Sequence, residues 1–171
     1  CESLASTWAS STVTFLSLDS CEGRTITQGV MFHANNTGEH IINSLWHGIP
    51  ADANTDRVWM PEGHSKGRTA VAADEIVIDA HVTEALEIEI GDNINIGAGN
   101  TSASFTVVGT GYHPLHVIMA SEGTMFPPEA GGYVVGYLSD LGMARLTGNE
   151  IGTSNTIVLD VEGTPSYDLP D

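Results

Sequence analysis

Apolar and polar positions alternate in short runs along most of the chain, and two stretches break into helical spacing. The first β-like run is Val13-Thr14-Phe15-Leu16-Ser17-Leu18, inside a Ser- and Thr-rich start, and a second strand spans Thr25 to Phe32. Asn35-Asn36-Thr37-Gly38 is a turn, and the mixed apolar stretch from Ile41 to Ile49 reads as a further strand. Pro50 to Asp56 is loop, and Val58-Trp59-Met60 runs into the turn-rich connector Pro61 to Gly67. Glu75 to Asp79 alternates as a strand, and Val82, Ala85 and Leu86 then recur at helical spacing, predicting a helix over 80–87. Gly91-Asp92 is a turn before a β-hairpin of 93–97 and 104–109. Residues 111–132 form a long loop with Pro127-Pro128 and Gly131-Gly132. Tyr133 to Tyr137 is a strand, 138–147 a helix with Ser139 as N-cap and Gly148 past its end, and Ser154 to Val161 a last strand. The pattern predicts an α+β fold of mixed or antiparallel sheets with a few short helices. Its expected core is Ile76, Ile78, Leu86, Ile94, Ile96, Phe105, Val107, Val134, Leu141, Ile157 and Leu159.

The length, 171 residues with 41% hydrophobic, fits one domain with a core of its own. No apolar run approaches the ~18 residues that span a bilayer. No basic and apolar leader precedes Cys1, so the chain is either cytosolic or shown without its targeting and anchoring parts. Charge changes this picture. Twenty-two acids face 5 bases, a formal net charge of −17, and Lys66 is the single lysine. So acidic a protein repels phosphate backbones, which excludes nucleic acid as a partner, and it is poorly suited to anionic lipid. Depletion of Lys and Arg is what the positive-inside rule expects of a segment left outside a membrane. A salt-adapted proteome gives the same excess of acids, and the charge alone does not choose between the two.

Catalytic motifs are absent. There is no G-x-S-x-G and no phosphate loop, and Gly109-Thr110-Gly111 is followed by Tyr-His-Pro instead of a dinucleotide-binding helix. His113-Pro114-Leu115-His116 lacks the i, i+4 spacing of a helical zinc pair and holds a proline, so it reads as a polar loop with no metal; no cofactor is expected. Glu84, Glu87 and Glu89 read as a solvated face. Cys1 and Cys21 are the two cysteines. A bond between them would close a loop of about 20 residues and contribute ~3 kcal/mol outside the cytoplasm. The alternative is two unpaired thiols, since a terminus is a poor place for a staple. Cys1 also reads as the acylated first residue of a lipoprotein. The sequons Asn35-Asn36-Thr37 and Asn100-Thr101-Ser102 are weak glycosylation signals.

One order of elements goes further. Strand Glu75-Ile76-Val77-Ile78-Asp79, short helix His81 to Leu86, turn Gly91-Asp92 with Ile94 and Ile96, and Phe105-Thr106-Val107-Val108-Gly109 follow in succession. Tyr112-His113-Pro114 and a closing strand–helix–strand unit come after them. This order, over roughly residues 45–161, resembles the extracytoplasmic, MacB-like periplasmic core domain of MacB/FtsX-type ABC-transporter permeases. The resemblance implies a non-catalytic domain over residues 1–161 in two lobes, with 162–171 a linker towards a membrane helix. It implies a place on the extracytoplasmic side of the cell membrane. It also implies three kinds of partner: a separate cytoplasmic ATPase subunit, a second permease copy, and a cargo or accessory protein outside. The loop Tyr112 to Gly132 is the expected contact surface, through Tyr112, His113, His116, Met119, Met125 and Phe126, because aromatic and Met side chains give adaptable contact area. Folding of these groups inward, between the lobes, is the bland alternative. A free-standing binding module or lipoprotein anchored at Cys1 is the second functional reading, and an enzyme with an unrecognised site the third.

Overall fold

The computed structural model describes residues 18–35, 38–50, 52–53, 55–116 and 129–161. Its organising element is one very long strand, β1 (Leu18–Asn35), which folds back on β2 (Gly38–Gly48) as an antiparallel hairpin from Thr25↔Gly48 to Asn35↔Gly38. The chain then returns through β3 (Lys66–Gly67), β4 (Glu75–Asp79), helix α1 (Ala80–Thr83), β5 (Asn93–Ala98) and β6 (Thr101–Gly111). A 3₁₀ turn (Pro114–His116), β7 (Tyr133–Leu138), helix α2 (Asp140–Thr147) and β8 (Thr156–Val161) complete the described residues.

Six strands close on themselves. Around the ring, β2 pairs with β7 in parallel, β7 with β4 antiparallel, and β4 with β6 in parallel. β6 then pairs with β5, and β5 with β1, both antiparallel, before β1 returns to β2. Closure removes the unpaired edges an open sheet would leave. The N-terminal half of β1 leaves this barrel and pairs with β8, from Leu18↔Val161 to Arg24↔Thr156. The expected α+β class with mixed sheets stands. The expected two lobes are not confirmed among these residues: the N-terminal strands, the β5–β6 hairpin and β7 share one closed sheet, and long β1 contributes to both the barrel and the β8 extension.

The barrel interior holds Met31, Trp46, Ile76, Ile78, Ile94, Ile96, Phe105, Val107, Val134 and Leu138, all buried. Val82, Leu86 and Ile88 join the same core, as do Met143 and Leu146 of α2. Trp46 fits because Gly29 and Gly136 face it: a Cβ at Gly136 would lie 2.7 Å from the indole, and one at Gly29 2.3 Å. The indole N–H donates to the Gly97 carbonyl at 3.0 Å. The turn before β5 is built by Gly91, at φ +97°, and by Asp92, whose carboxylate accepts from the Glu89 N–H at 2.8 Å.

Three expected core residues lie outside. Leu141, Ile157 and Leu159 are 44%, 47% and 42% exposed. On α2 the buried stripe is Gly142, Met143 and Leu146, one position later than expected. On β8 the inward face is Thr156, Val158 and Asp160, a one-residue shift that turns both apolar side chains outward. α1 ends at Thr83 and continues only as turns to Glu87, shorter than the helix over 80–87. α2 carries the expected caps: the Ser139 hydroxyl accepts from Gly142 N–H at 3.2 Å, and Gly148 ends the helix in the left-handed region. The β-like run over 13–17 and the linker 162–171 lie outside the described residues.

Candidate functional site

Strand alternation places a second, smaller cluster on the outer face of the barrel. Ile76 and Ile78 point inward, so Val77 and Asp79 point outward; Trp46 points inward, so Leu45 and His47 point outward. β7 is buried along its whole length, because Tyr133, Val135 and Tyr137 are covered on this outer side as well. Its cover includes Val58 and Ala70 from the connector between β2 and β4. The chain after β6 adds to that cover: Trp59 and Tyr112 exchange two backbone hydrogen bonds, each 2.8 Å. The bridge lays residues 113–116 over the outward side chains of β2 and β7.

Asp79 lies at the centre, with no exposed surface. A buried carboxylate needs its lone pairs filled. The Tyr137 hydroxyl donates to Oδ2 at 2.6 Å. On Oδ1 the His81 backbone N–H donates at 3.1 Å, as the cap of α1, and His81 Nδ1 lies at 2.6 Å. Burial, then the charge of Asp79 and its hydrogen bond, push the Tyr137 phenol up, so it stays a donor.

Three more imidazoles meet beside this group. His47 Nε2 and His116 Nε2 approach to 2.7 Å, with ring centroids 4.8 Å apart. His113 stacks on Tyr137 at 5.5 Å and lies 5.4 Å from His47 and 5.8 Å from His116. His113 Nε2 donates to the Asp56 carbonyl at 2.7 Å, while its Nδ1 accepts from the Leu115 N–H at 3.3 Å. Burial, followed by His116, His113 and Arg24, brings His47 down from 6.5 to about 3. Burial also lowers His113 and His116, against the Asp56 hydrogen bond in the first case and the charge of Asp79 in the second. The rings are therefore neutral at neutral pH. Tyr112 packs its ring on His81 at 4.9 Å and on Trp59 at 6.0 Å. Among the described residues, no three His, Cys, Asp or Glu side chains converge as a metal site would need.

The expected contact residues divide three ways. Tyr112 is half-buried, His116 is half-buried against His47, and His113 is buried at 5% exposure, so His113 is a packed residue and not a surface group. Met119, Met125 and Phe126 lie outside the described residues. Sequence reasoning did not find His47, Asp79, His81 or Tyr137. The available signals were a His beside the inward Trp46 and an Asp ending an otherwise apolar strand. Nearby, Arg24 is buried, paired with Glu22 at 2.8 Å and with the Thr55 carbonyl. Cys21 on β1 is disulfide-bonded, and the sequence has one other cysteine, Cys1, outside the described residues.

Comparison with protein-family models finds no match, and neither does comparison with curated protein sequences. Comparison with solved structures does. The chain is similar in fold to the extracellular domain of YknZ, a noncanonic ABC-type transporter from Gram-positive bacteria. The TM-score is 0.50 at 12% identity, over 85% of this chain and 66% of that one. The chain therefore spans just under two thirds of its neighbour's length, and the likeness is one of fold. No helix among the described residues is long and apolar enough to cross a membrane.

Proposed function

We propose that this chain is the extracytoplasmic domain of an ABC-transporter permease subunit. In this reading it engages cargo or an accessory protein outside the membrane and moves as a separate cytoplasmic ATPase subunit closes a pair of permeases. The observation that carries the reading is the fold similarity to a transporter extracellular domain over 85% of the chain. The order of elements from β4 to β8 and the depletion of bases support it independently. The MacB/FtsX assignment rests on that order of elements.

The proposed contact surface begins where Trp59, Tyr112 and Leu115 come to the outside; Trp59 is 45% and Leu115 60% exposed. The composition of the loop adds Met119, Met125 and Phe126 to the proposal.

The intact gene product, tagged and extracted from membranes, is expected to co-purify with an ATPase subunit. Replacing Met125 and Phe126 by Ser in that complex should weaken transport or partner binding while the domain stays folded. A product that is found free of the membrane and associates with no ATPase would end the permease reading. Unchanged transport in the double variant would remove only the contact surface.

A further inference from the structure

The outer-face cluster has a property that the transporter reading does not use. Among the described residues, two hydrogen bonds tie residues 113–116 to the rest of the molecule, and both run through an imidazole nitrogen. One is His113 Nε2 to the Asp56 carbonyl, the other the His47–His116 contact. The remaining bonds of the turn are internal: His116 N–H to the His113 carbonyl, and Leu115 N–H to His113 Nδ1.

Two ring nitrogens 2.7 Å apart are attractive only when one carries a hydrogen and the other a lone pair. One added proton can be shared across the contact. A second puts N–H against N–H and two positive charges at van der Waals distance. His113 is constrained in the same way, because its Nδ1 must keep a lone pair for Leu115. A proton there removes that bond. We propose that the His47–His116 contact, backed by His113, is an acid-sensitive latch that holds the Pro114–His116 turn on the flank of the barrel and releases it when the rings take up protons.

The surroundings set the direction. From β1, the Arg24 charge disfavours protons on His47 and His113. From the β2–β4 connector, Asp56 favours one on His113, and from β4, Asp79 favours one on His116. Tyr137 of β7 stays neutral against His47 and His113, and His81 meets the Tyr112 ring edge-on while its Nδ1 lies on Asp79. Burial outweighs the acidic neighbours at His113 and His116. In the released turn the rings meet water and return towards 6.5, so release takes up protons. The latched state is fully favoured above that value and loses ground as pH falls below it.

Hydrogen exchange of the 171-residue chain tests this, from about pH 7.5 to about pH 4.5, in a chelating buffer and with intrinsic rates corrected. Each proton taken up on release raises the open population up to about tenfold per pH unit. The amides of Tyr112, Leu115 and His116 should lose protection by that factor or more below about pH 6.5, while those of the β5–β6 hairpin stay protected. His116→Gln should lower the slope by about one proton, and His47→Gln, should the first variant not fold, by the same amount. Protection of the turn that does not change with pH would overturn the latch. So would an unaltered slope in the variants, or loss of protection across turn and barrel together.

Discussion

Asp79 shows what single side chains contribute here. Its charge is buried completely, and it is tolerable because both oxygens are held, Oδ2 by one hydroxyl and Oδ1 by His81. Tyr137→Phe keeps the ring that His113 stacks on and removes that one donor. It should cost about 1–3 kcal/mol in urea unfolding, the penalty of a buried acceptor left unpaired. A loss of only a few tenths would mean that water or another donor reaches Oδ2. Glu75 is a different case, at the edge of the fold. Bidentate pairing with Arg68, and then the Val71 and Ala72 N–H groups, hold its carboxyl down at about 2 against an ordinary 4.5. A depressed carboxyl stabilises above its unfolded value, so this contribution is whole above about pH 4.5 and is lost between there and about pH 2. Glu75→Gln should flatten that part of the stability–pH curve, and a curve of unchanged slope would show that the ion pair does nothing for the fold.

Among the elements, the strand trio β1, β2 and β7 depends on Trp46 filling the space left by two glycines. An Ala Cβ at Gly136 would stand 2.7 Å from the indole and 2.9 Å from Ile76 Cδ1. The indole is held by its hydrogen bond to Gly97, and Ile76 is fully buried in the same core. Gly136→Ala should therefore destabilise by about 1–3 kcal/mol, read as a lower midpoint with an unchanged denaturant slope. The elements themselves were largely legible in the sequence: β4, the β5–β6 hairpin with its Gly91-Asp92 turn, and α2 with both caps rest on local spacing and turn chemistry. Barrel closure was not legible. It depends on β1 pairing with β5 and β2 with β7, contacts between positions far apart in sequence with no local signal. β8 was found but read one residue out of register, because a strand that among the described residues pairs only with β1 has no core to fix its inward face. The outer-face cluster was hidden for the same reason as the closure. His47, Asp79 and Tyr137 sit on three strands, and only the ring order makes them neighbours. His113 and His116 were singled out as surface groups from loop composition, which says nothing about what the loop lies on.

At the scale of the whole molecule the dominant fact is charge. Twenty-two acids and 5 bases leave a formal charge of −17, and the ion pairs of Arg24 and Arg68 offset little of it. A domain of this length has a radius of gyration of about 15 Å. At about 0.01 M salt the screening length is roughly 30 Å, so each carboxylate repels every other; at about 1 M it is roughly 3 Å, and only contacts remain. Folding concentrates the charge, so repulsion opposes it most at low salt. Sodium chloride should therefore raise the melting temperature near neutral pH, by about 2–8 °C if screening recovers ~1–2 kcal/mol. Failure to fold at all at low salt would attribute the acid excess to salt adaptation, and a folded domain there agrees with a segment kept outside a membrane. The control is the same titration near the isoelectric point, about 4.4, where the net charge is close to zero. There the ion pairs are what salt weakens, and the increase should vanish or change sign. An equal increase at both pH values would mean that salt acts on apolar burial, and charge repulsion would then not be what limits the stability of this domain.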